Sequence, residues 1–157
     1  MKRAGCVKGR FENYCLIESL NENHCTEIPK KKGLYIVIKP VEIAAVFCKE
    51  TVAISEFKGK SMLYDVGKLE EKFNNSDQEI LYIGRAKNLY TRIKQLIDYG
   101  YNGKKNHRGE RVLWQMKNHD KFKLGFLQCE NPIFEKKNFL QEYCQEYHVL
   151  PVANWRK

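Results

Sequence analysis

The sequence has no Cys-X-X-Cys pair, no internal repeat and no low-complexity segment. It also has no run of about 18 apolar residues, so a membrane span is not expected. The N-terminal stretch is basic but has no apolar core of signal-peptide length, which predicts a cytoplasmic protein. The six cysteines are scattered, and we expect reduced thiols packed as small hydrophobes. A zinc site built from Cys15, His24 and Cys25 is the alternative, but its spacing matches no standard zinc pattern.

Composition predicts one folded domain with a polyanionic partner. The 157 residues fit a single domain, and a hydrophobic fraction of 43% is enough for a core. The formal net charge is +9, from 28 Lys and Arg against 19 Asp and Glu. Lys and Arg that neutralise phosphates release counterions, so an excess of this size favours nucleic acid as the partner.

Alternating β-branched and aromatic residues predict four strands, one of them short, and apolar residues at helical spacing predict helices around them. Asn131 and Pro132 are typical of a helix start, and we expect that helix to bury a stripe containing Ile133 and Leu140. The predicted strands are 33–39, 43–47, 79–83 and 122–129, and the predicted helices are 11–20, 66–73, 86–98, 111–118 and 132–147.

This order of elements predicts an α/β (α+β) fold with a small mixed, largely antiparallel central sheet flanked by helices. We divide the chain into an N-terminal arm at 1–32 and a domain at 33–157, with an insertion at about 40–78.

Two of the strands each place a tyrosine near a glycine, Tyr35 after Gly33 and Tyr82 before Gly84. Strand side chains alternate, so if the strands pair, both phenols can project from one side of the sheet. Taken singly, a strand tyrosine is more often a packing residue than a catalyst.

The pattern around these tyrosines resembles the GIY-YIG nuclease signature. GLY at 33–35 is followed by YIGRAKNLYTR at 82–92, with Arg92 eight residues after Gly84, as in the family. The resemblance continues with Glu135 at the start of a later helix and with Asn154 after it, and it leaves 40–78 unmatched. It implies a metal-dependent DNA endonuclease of the restriction-enzyme-like branch.

The resemblance implies a role for each of these residues. Tyr35 would be the base, Tyr82 would position water or phosphate, and Arg92 would fork two hydrogen bonds to the scissile phosphate. Glu135 would hold a single Mg²⁺, or Mn²⁺ in its place, together with substrate oxygens and waters. Glu142 lies seven residues later on the same helical face and is the second choice for this carboxylate.

One position departs from the family. Many members carry a His or Tyr four residues after the helix arginine, where this chain has Leu96. Tyr99 and His107 lie just beyond, and the run from 99 to 115 resembles an extension in the restriction-enzyme-like branch, which favours His107 as a catalytic residue.

DNA contacts are expected from basic residues near these motifs and on a basic, aromatic loop at 99–110, where phosphate contact and base stacking go together. The predicted DNA-binding residues are Arg85, Lys87, Lys104, Lys105, Arg108, Arg111 and Asn154, of which Asn154 is expected to orient the site.

Two alternatives remain open. The first is a catalytically inactive DNA-binding module on the same fold. The second is a nuclease of another fold that uses Asp120, Glu135 and Lys137. Within the nuclease hypothesis, the short chain favours a compact restriction-type enzyme, and a homodimer would let it cut both strands in one encounter.

Overall fold

The computed structural model describes residues 8–50, 56–57, 60–61, 63–102 and 111–155. In chain order its elements are β1 (Glu12–Leu16), α1 (Ile17–Glu22), β2 (Gly33–Ile38), β3 (Glu56–Phe57), β4 (Lys60–Ser61), α2 (Val66–Asn74), β5 (Ile80–Ala86), α3 (Leu89–Asn102), β6 (Lys123–Gln128) and α4 (Pro132–Tyr147), with 3-10 helices at Arg111–Gln115 and His119–Lys121.

Within these residues, four strands form one antiparallel sheet in the order β1-β6-β2-β5, and β3 pairs with β4 separately. The strand β2 is central, and its register pairs Tyr35 with Gly84 on one side and with Phe126 on the other. Helices cover both faces, so the predicted α+β class with a largely antiparallel sheet is confirmed.

The two faces of the sheet bury different helices because side chains alternate along β2. Tyr35 and Val37 face the larger core, which contains the apolar stripe of α3. In the sequence of the helix predicted at 86–98, Leu89, Ile93, Leu96 and Ile97 stand at helical spacing, which predicts a buried stripe. That stripe is confirmed, since each of the four is at most 2% exposed. Leu34 and Ile36 face the smaller core under α4.

The C-terminal helix begins where the sequence predicts, but it buries a different stripe. The Asn131 side chain accepts a hydrogen bond from the backbone N–H of Phe134, and Pro132 lies in the first turn. Phe139, Leu140 and Tyr143 are the buried residues of α4, whereas Ile133 is 62% exposed. The prediction that Ile133 packs on the sheet was therefore wrong.

The N-terminal segment is part of the sheet, which differs from the irregular arm predicted for 1–32. Residues 12–16 form β1, which pairs with β6, and the short helix that follows covers 17–22 rather than 11–20.

The strand predicted over 43–47 is absent from the described residues, where Phe47 makes only an isolated bridge to Met116. Lys39 holds this stretch in a turn by donating hydrogen bonds to the carbonyl oxygens of Pro40 and Ile43.

The described helices do not combine the length and apolarity that crossing a membrane would need. The five cysteines in the described part of the chain are free thiols.

Candidate active site

The two motif tyrosines lie side by side on the α3 face of the sheet. Their ring centroids are 5.9 Å apart with planes tilted by 41°. Tyr35 is paired directly with Gly84, so Tyr82 is its diagonal neighbour across the two strands. The predicted projection of both phenols from one side of the sheet is confirmed.

Gly84 is required by the close approach of these rings. A Cβ at position 84 would lie 2.4 Å from Cζ and 2.6 Å from Oη of Tyr35, and 2.6 Å from Cε2 of Tyr82. Any side chain at this position would therefore overlap both phenols. The glycine of the second motif is explained by packing at the tyrosine pair.

An open groove of about 390 Å³ lies where β5 leads into α3. We call it the cationic groove, because Arg85, Lys87, Arg92 and Lys136 line it and no carboxylate does so among the described residues. Its other lining residues are Tyr82, Ala86, Asn88, Thr91 and Gln95. Tyr82, Arg85, Lys87 and Arg92, all predicted from the sequence, are therefore brought together. Tyr35 is 0% exposed, packs beside Tyr82 and does not line the groove.

The helix α3 begins at Leu89 rather than at the predicted Ala86, so Arg85 belongs to the end of β5. Asn88 caps the helix, since its side chain accepts a hydrogen bond from the N–H of Thr91 and its carbonyl accepts one from Arg92. The N–H groups of Leu89 and Tyr90 donate to the carbonyls of Lys31 and Pro29. These four N–H groups are all paired, so an anion in the groove would be held mainly by side chains.

Gln95, one turn after Arg92, lines the groove, whereas Leu96 is 0% exposed in the core. The position where many family members carry a proton-transfer group therefore packs against the sheet in this chain. Tyr99 is also buried, at 1% exposure. The predicted catalytic residue His107 lies outside the described residues.

Glu135 is half-buried in the first turn of α4 and directly precedes Lys136, which lines the groove. Burial raises the pKa of the Cys129 thiol, and the Glu135 carboxylate raises it further. Glu135 is not itself among the described residues that line the groove.

A resident metal would have to be held largely by substrate and water. Among the described residues there is no group of three or more His, Cys, Asp or Glu side chains placed to hold a metal ion. Mg²⁺ usually keeps several waters and binds through one or two carboxylates plus substrate phosphates. A single carboxylate such as Glu135, the residue before the groove-lining Lys136, fits that kind of donor set.

The remaining predicted DNA-binding residues do not line the groove in the part of the chain that is described. Lys104, Lys105 and Arg108 lie outside the described residues. Arg111 donates a hydrogen bond to the hydroxyl of Tyr64 at 2.9 Å, which places it against the insertion.

Asn154 is 2% exposed and supports the strand that carries the second motif. Its side-chain oxygen accepts a hydrogen bond from the N–H of Ile83 at 2.9 Å, and its side-chain nitrogen donates to the Ile83 carbonyl at 3.0 Å. The amide therefore pairs with β5 as a neighbouring strand would. This placement agrees with an orienting role, and the buried side chain does not face a DNA strand.

Lys72 of α2 fixes the same C-terminal segment from the other side. Its ammonium group donates a hydrogen bond to the carbonyl of Asn154 and lies 3.7 Å from the centroid of the Trp155 ring. Burial lowers the pKa of Lys72 to about 8. Trp155 also stacks on Tyr64 with ring centroids 4.9 Å apart. The insertion is thereby connected through Asn154 to the edge of β5.

We expect Asn154→Leu to lower the free energy of unfolding by about 2–5 kcal/mol, because the two buried peptide groups of Ile83 each lose a partner. Urea denaturation measures this change. Asn102→Leu is the matched control, since Asn102 is exposed and, among the described residues, its amide donates to Asp98 one turn earlier in the same helix. Equal stability of Asn154→Leu and the control would contradict this role for Asn154.

Sequence reasoning missed Lys136, Asn88 and Gln95 as groove residues. Asn88 and Gln95 lie within four residues of Arg92, so helical spacing was the signal for these two residues. Lys136 comes from another helix, and no local pattern indicates it.

The alternative site of Asp120, Glu135 and Lys137 is not assembled. Asp120 precedes β6 and Glu135 follows it. A strand of six residues spans about 20 Å, so the two carboxylates lie near opposite ends of β6.

The proposed zinc ligand Cys25 is buried, and its thiol donates to the Leu20 carbonyl.

Comparison with known proteins found no match to the chain among protein-family models, curated proteins or solved structures.

Proposed function

We propose that this chain is a metal-dependent endonuclease that hydrolyses phosphodiester bonds in DNA at the cationic groove. The observation that carries the proposal is the convergence of Arg85, Lys87, Arg92 and Lys136 on a groove that also contains Tyr82. Four cations around one space favour a phosphate ligand. The GIY-YIG resemblance supports hydrolysis as the reaction, because Tyr35, Tyr82, Arg92 and Glu135 follow that pattern.

In this proposal the cations of the groove bind the phosphates of the DNA. Arg92 rises from the first turn of α3 and can donate two parallel hydrogen bonds to a phosphate. Arg85 and Lys87 are exposed on the approach to the groove and would hold the neighbouring backbone. Because the N–H groups of the first turn of α3 are already paired, loss of these side chains would not be compensated by the backbone.

The two phenols position the attacking water and accept its proton. Tyr82 lines the groove, so we assign it to the positioning of water and phosphate. Tyr35, which is buried beside Tyr82, is the proposed base because of the resemblance. An ordinary phenol has a pKa of about 10, so it accepts a proton efficiently only from a water that is already acidified. Mg²⁺ bound at Glu135 would acidify water and neutralise charge on the phosphate.

The test is incubation of supercoiled plasmid DNA with purified protein, with and without Mg²⁺ or Mn²⁺. We expect nicking or double-strand cleavage that EDTA stops, with products whose mapped ends reveal any restriction-type sequence preference. Tyr35→Phe should lower kcat by roughly 100-fold with little change in KM, since it removes proton transfer. Tyr82→Phe should change KM as well, because that phenol faces the substrate. Full activity in Tyr35→Phe would contradict the assignment of the base.

A second candidate function is supported by one specific observation. Leu96 is buried and Gln95 takes its place in the groove, and neither side chain transfers protons. This favours a module that binds DNA without cutting it. Such a module would show salt-sensitive DNA binding but no cleavage with any divalent metal.

A further inference from the structure

Within the described residues and apart from Tyr82, three uncharged side chains with hydrogen-bonding groups line the cationic groove, namely Asn88, Thr91 and Gln95. Asn88 caps α3, and Thr91 and Gln95 follow at spacings of three and four residues. Residues at these spacings lie on one face of a helix. The wall of the groove that α3 forms therefore offers neutral hydrogen-bonding groups next to the cations.

Gln95 is the best placed of the three to contact a ligand. It is exposed, and its carboxamide has no hydrogen-bond partner among the described residues. The side-chain oxygen of Asn88 is already used, because it accepts a hydrogen bond from the N–H of Thr91 at 3.1 Å. The Thr91 side chain is shorter and carries a single hydroxyl. Gln95 therefore presents a donor and an acceptor side by side in the groove.

A carboxamide adds little to the binding of a phosphate. The oxygens of a phosphodiester only accept hydrogen bonds, and the cations that line the groove supply charge-assisted donors for them. The carboxamide of Gln95 has no charge, and its oxygen would be a second acceptor facing the phosphate oxygens. Its adjacent donor and acceptor suit a ligand that presents the complementary pair.

The edge of adenine presents that pair in duplex DNA. In the major groove adenine offers N7 as an acceptor and its N6 amino group as a donor, and one glutamine side chain can bind both. Guanine offers two acceptors there, thymine offers an acceptor and a methyl group, and cytosine offers one donor. A bidentate contact from a glutamine therefore selects adenine over the other three bases.

Gln95 and Arg92 are close enough for one DNA strand to reach both. The two residues are three apart on α3, so their Cβ atoms are about 5–6 Å apart. Both side chains line the same groove. Successive nucleotides of a duplex strand are about 3.4 Å apart along its axis. The spacing on the helix therefore corresponds to one or two nucleotides.

We propose that Gln95 determines a sequence preference at the cationic groove by pairing through its carboxamide with an adenine one or two nucleotides from the phosphate that Arg92 holds. This inference rests on the proposed function for its substrate class. It concerns the choice of DNA sequence and does not require cleavage.

The experiment measures binding of duplex DNA in EDTA, so that no cutting occurs. A pool of randomised duplexes is bound to wild type, and sequencing of the bound fraction should show enrichment of adenine at one position. Replacing that A·T pair by G·C should weaken binding of wild type roughly 5- to 150-fold. Replacing the adenine by 7-deazaadenine, which lacks only the N7 acceptor, should also weaken it. Gln95→Ala should bind the three duplexes equally.

Two further variants separate base recognition from charge. Gln141→Ala is the matched control, because Gln141 is an exposed glutamine of α4 that does not line the groove, and it should keep the preference for adenine. Lys87→Ala should weaken binding of all three duplexes by a similar factor. It should also reduce the slope of log affinity against log salt by about one, with the preference unchanged.

The outcomes distinguish this inference from the proposed cleavage. An adenine preference that persists in Gln95→Ala, or a wild type without such a preference, would overturn the inference and leave the cleavage untouched. A preference that depends on Gln95, in a protein that cuts no DNA with Mg²⁺ or Mn²⁺, would support the inference and count against the proposed hydrolysis. Failure of wild type to bind any duplex would contradict both.

Discussion

Replacing Glu135 with glutamine is expected to lower DNA cleavage roughly 1,000-fold, because the variant loses the charge that would hold the metal ion in the proposed reaction while keeping the shape of the side chain. DNA affinity measured in EDTA should stay the same or rise slightly, since the protein loses one negative charge. Single-turnover cleavage with a titration of Mg²⁺ measures the effect. We expect the residual activity to need a much higher Mg²⁺ concentration than wild type needs.

Glu142→Gln is the matched control on the same helix. Glu142 lies seven residues, or about 10 Å, further along α4, and its closest described cation is Arg10 at 3.8 Å. It is far from Lys136 and the groove rim, so cleavage by Glu142→Gln should equal that of wild type. A loss in Glu142→Gln with full activity in Glu135→Gln would move the metal to the second carboxylate. Full activity in both variants would remove the glutamate from the reaction.

The elements nearest the site could be predicted from sequence because they are locally determined. The stripe that begins at Leu89 and Ile93 repeats at helical spacing, and each of its residues is buried against the sheet. The strand at 33–38 alternates between two cores, and Pro40 follows two residues after its end. Such patterns report the period of the backbone, so they predict which face of an element is buried without knowledge of its partner.

What could not be predicted depends on contacts between distant parts of the chain. Asn13 in β1 has a φ of 56°, and the register of β1 shifts between Glu12 and Cys15, so the segment shows no regular alternation. It becomes a strand because β6, more than 100 residues later, offers an edge. The burial of Asn154 against Ile83 also joins distant segments. Helical spacing puts Ile133 on one stripe with Leu140, but only Leu140 is buried, because Ile133 lies in the first turn of the helix.

The position of the groove was only partly predictable. The spacing from Gly84 to Arg92 places both at the junction of β5 and α3, and this gave four of the groove residues. Lys136 reaches the same groove from α4 on the other face of the sheet, and no local pattern indicates that approach.

Replacing Gly84 with alanine should damage the fold and the site together. The added Cβ would lie 2.4–2.6 Å from ring atoms of Tyr35 and Tyr82. Tyr35 is 0% exposed and has no free space into which to move, so the strands or the rings must shift. Overpacking of this kind costs about 1–3 kcal/mol, which corresponds to a fall in Tm of roughly 2–12 °C for a chain of this size. Thermal denaturation followed by circular dichroism measures the loss.

Gly100→Ala separates damage to the site from damage to stability. A Cβ at Gly100 would lie 2.3–2.4 Å from ring atoms of Trp114, so this variant overpacks the core to a similar degree. Neither Gly100 nor Trp114 lines the groove in the described part of the chain. At a temperature where both variants remain folded, Gly84→Ala should lose most cleavage and Gly100→Ala should keep it. Equal activity in the two variants would mean that the packing of the tyrosine pair is structural only, because only Gly84→Ala displaces the phenols relative to Arg92.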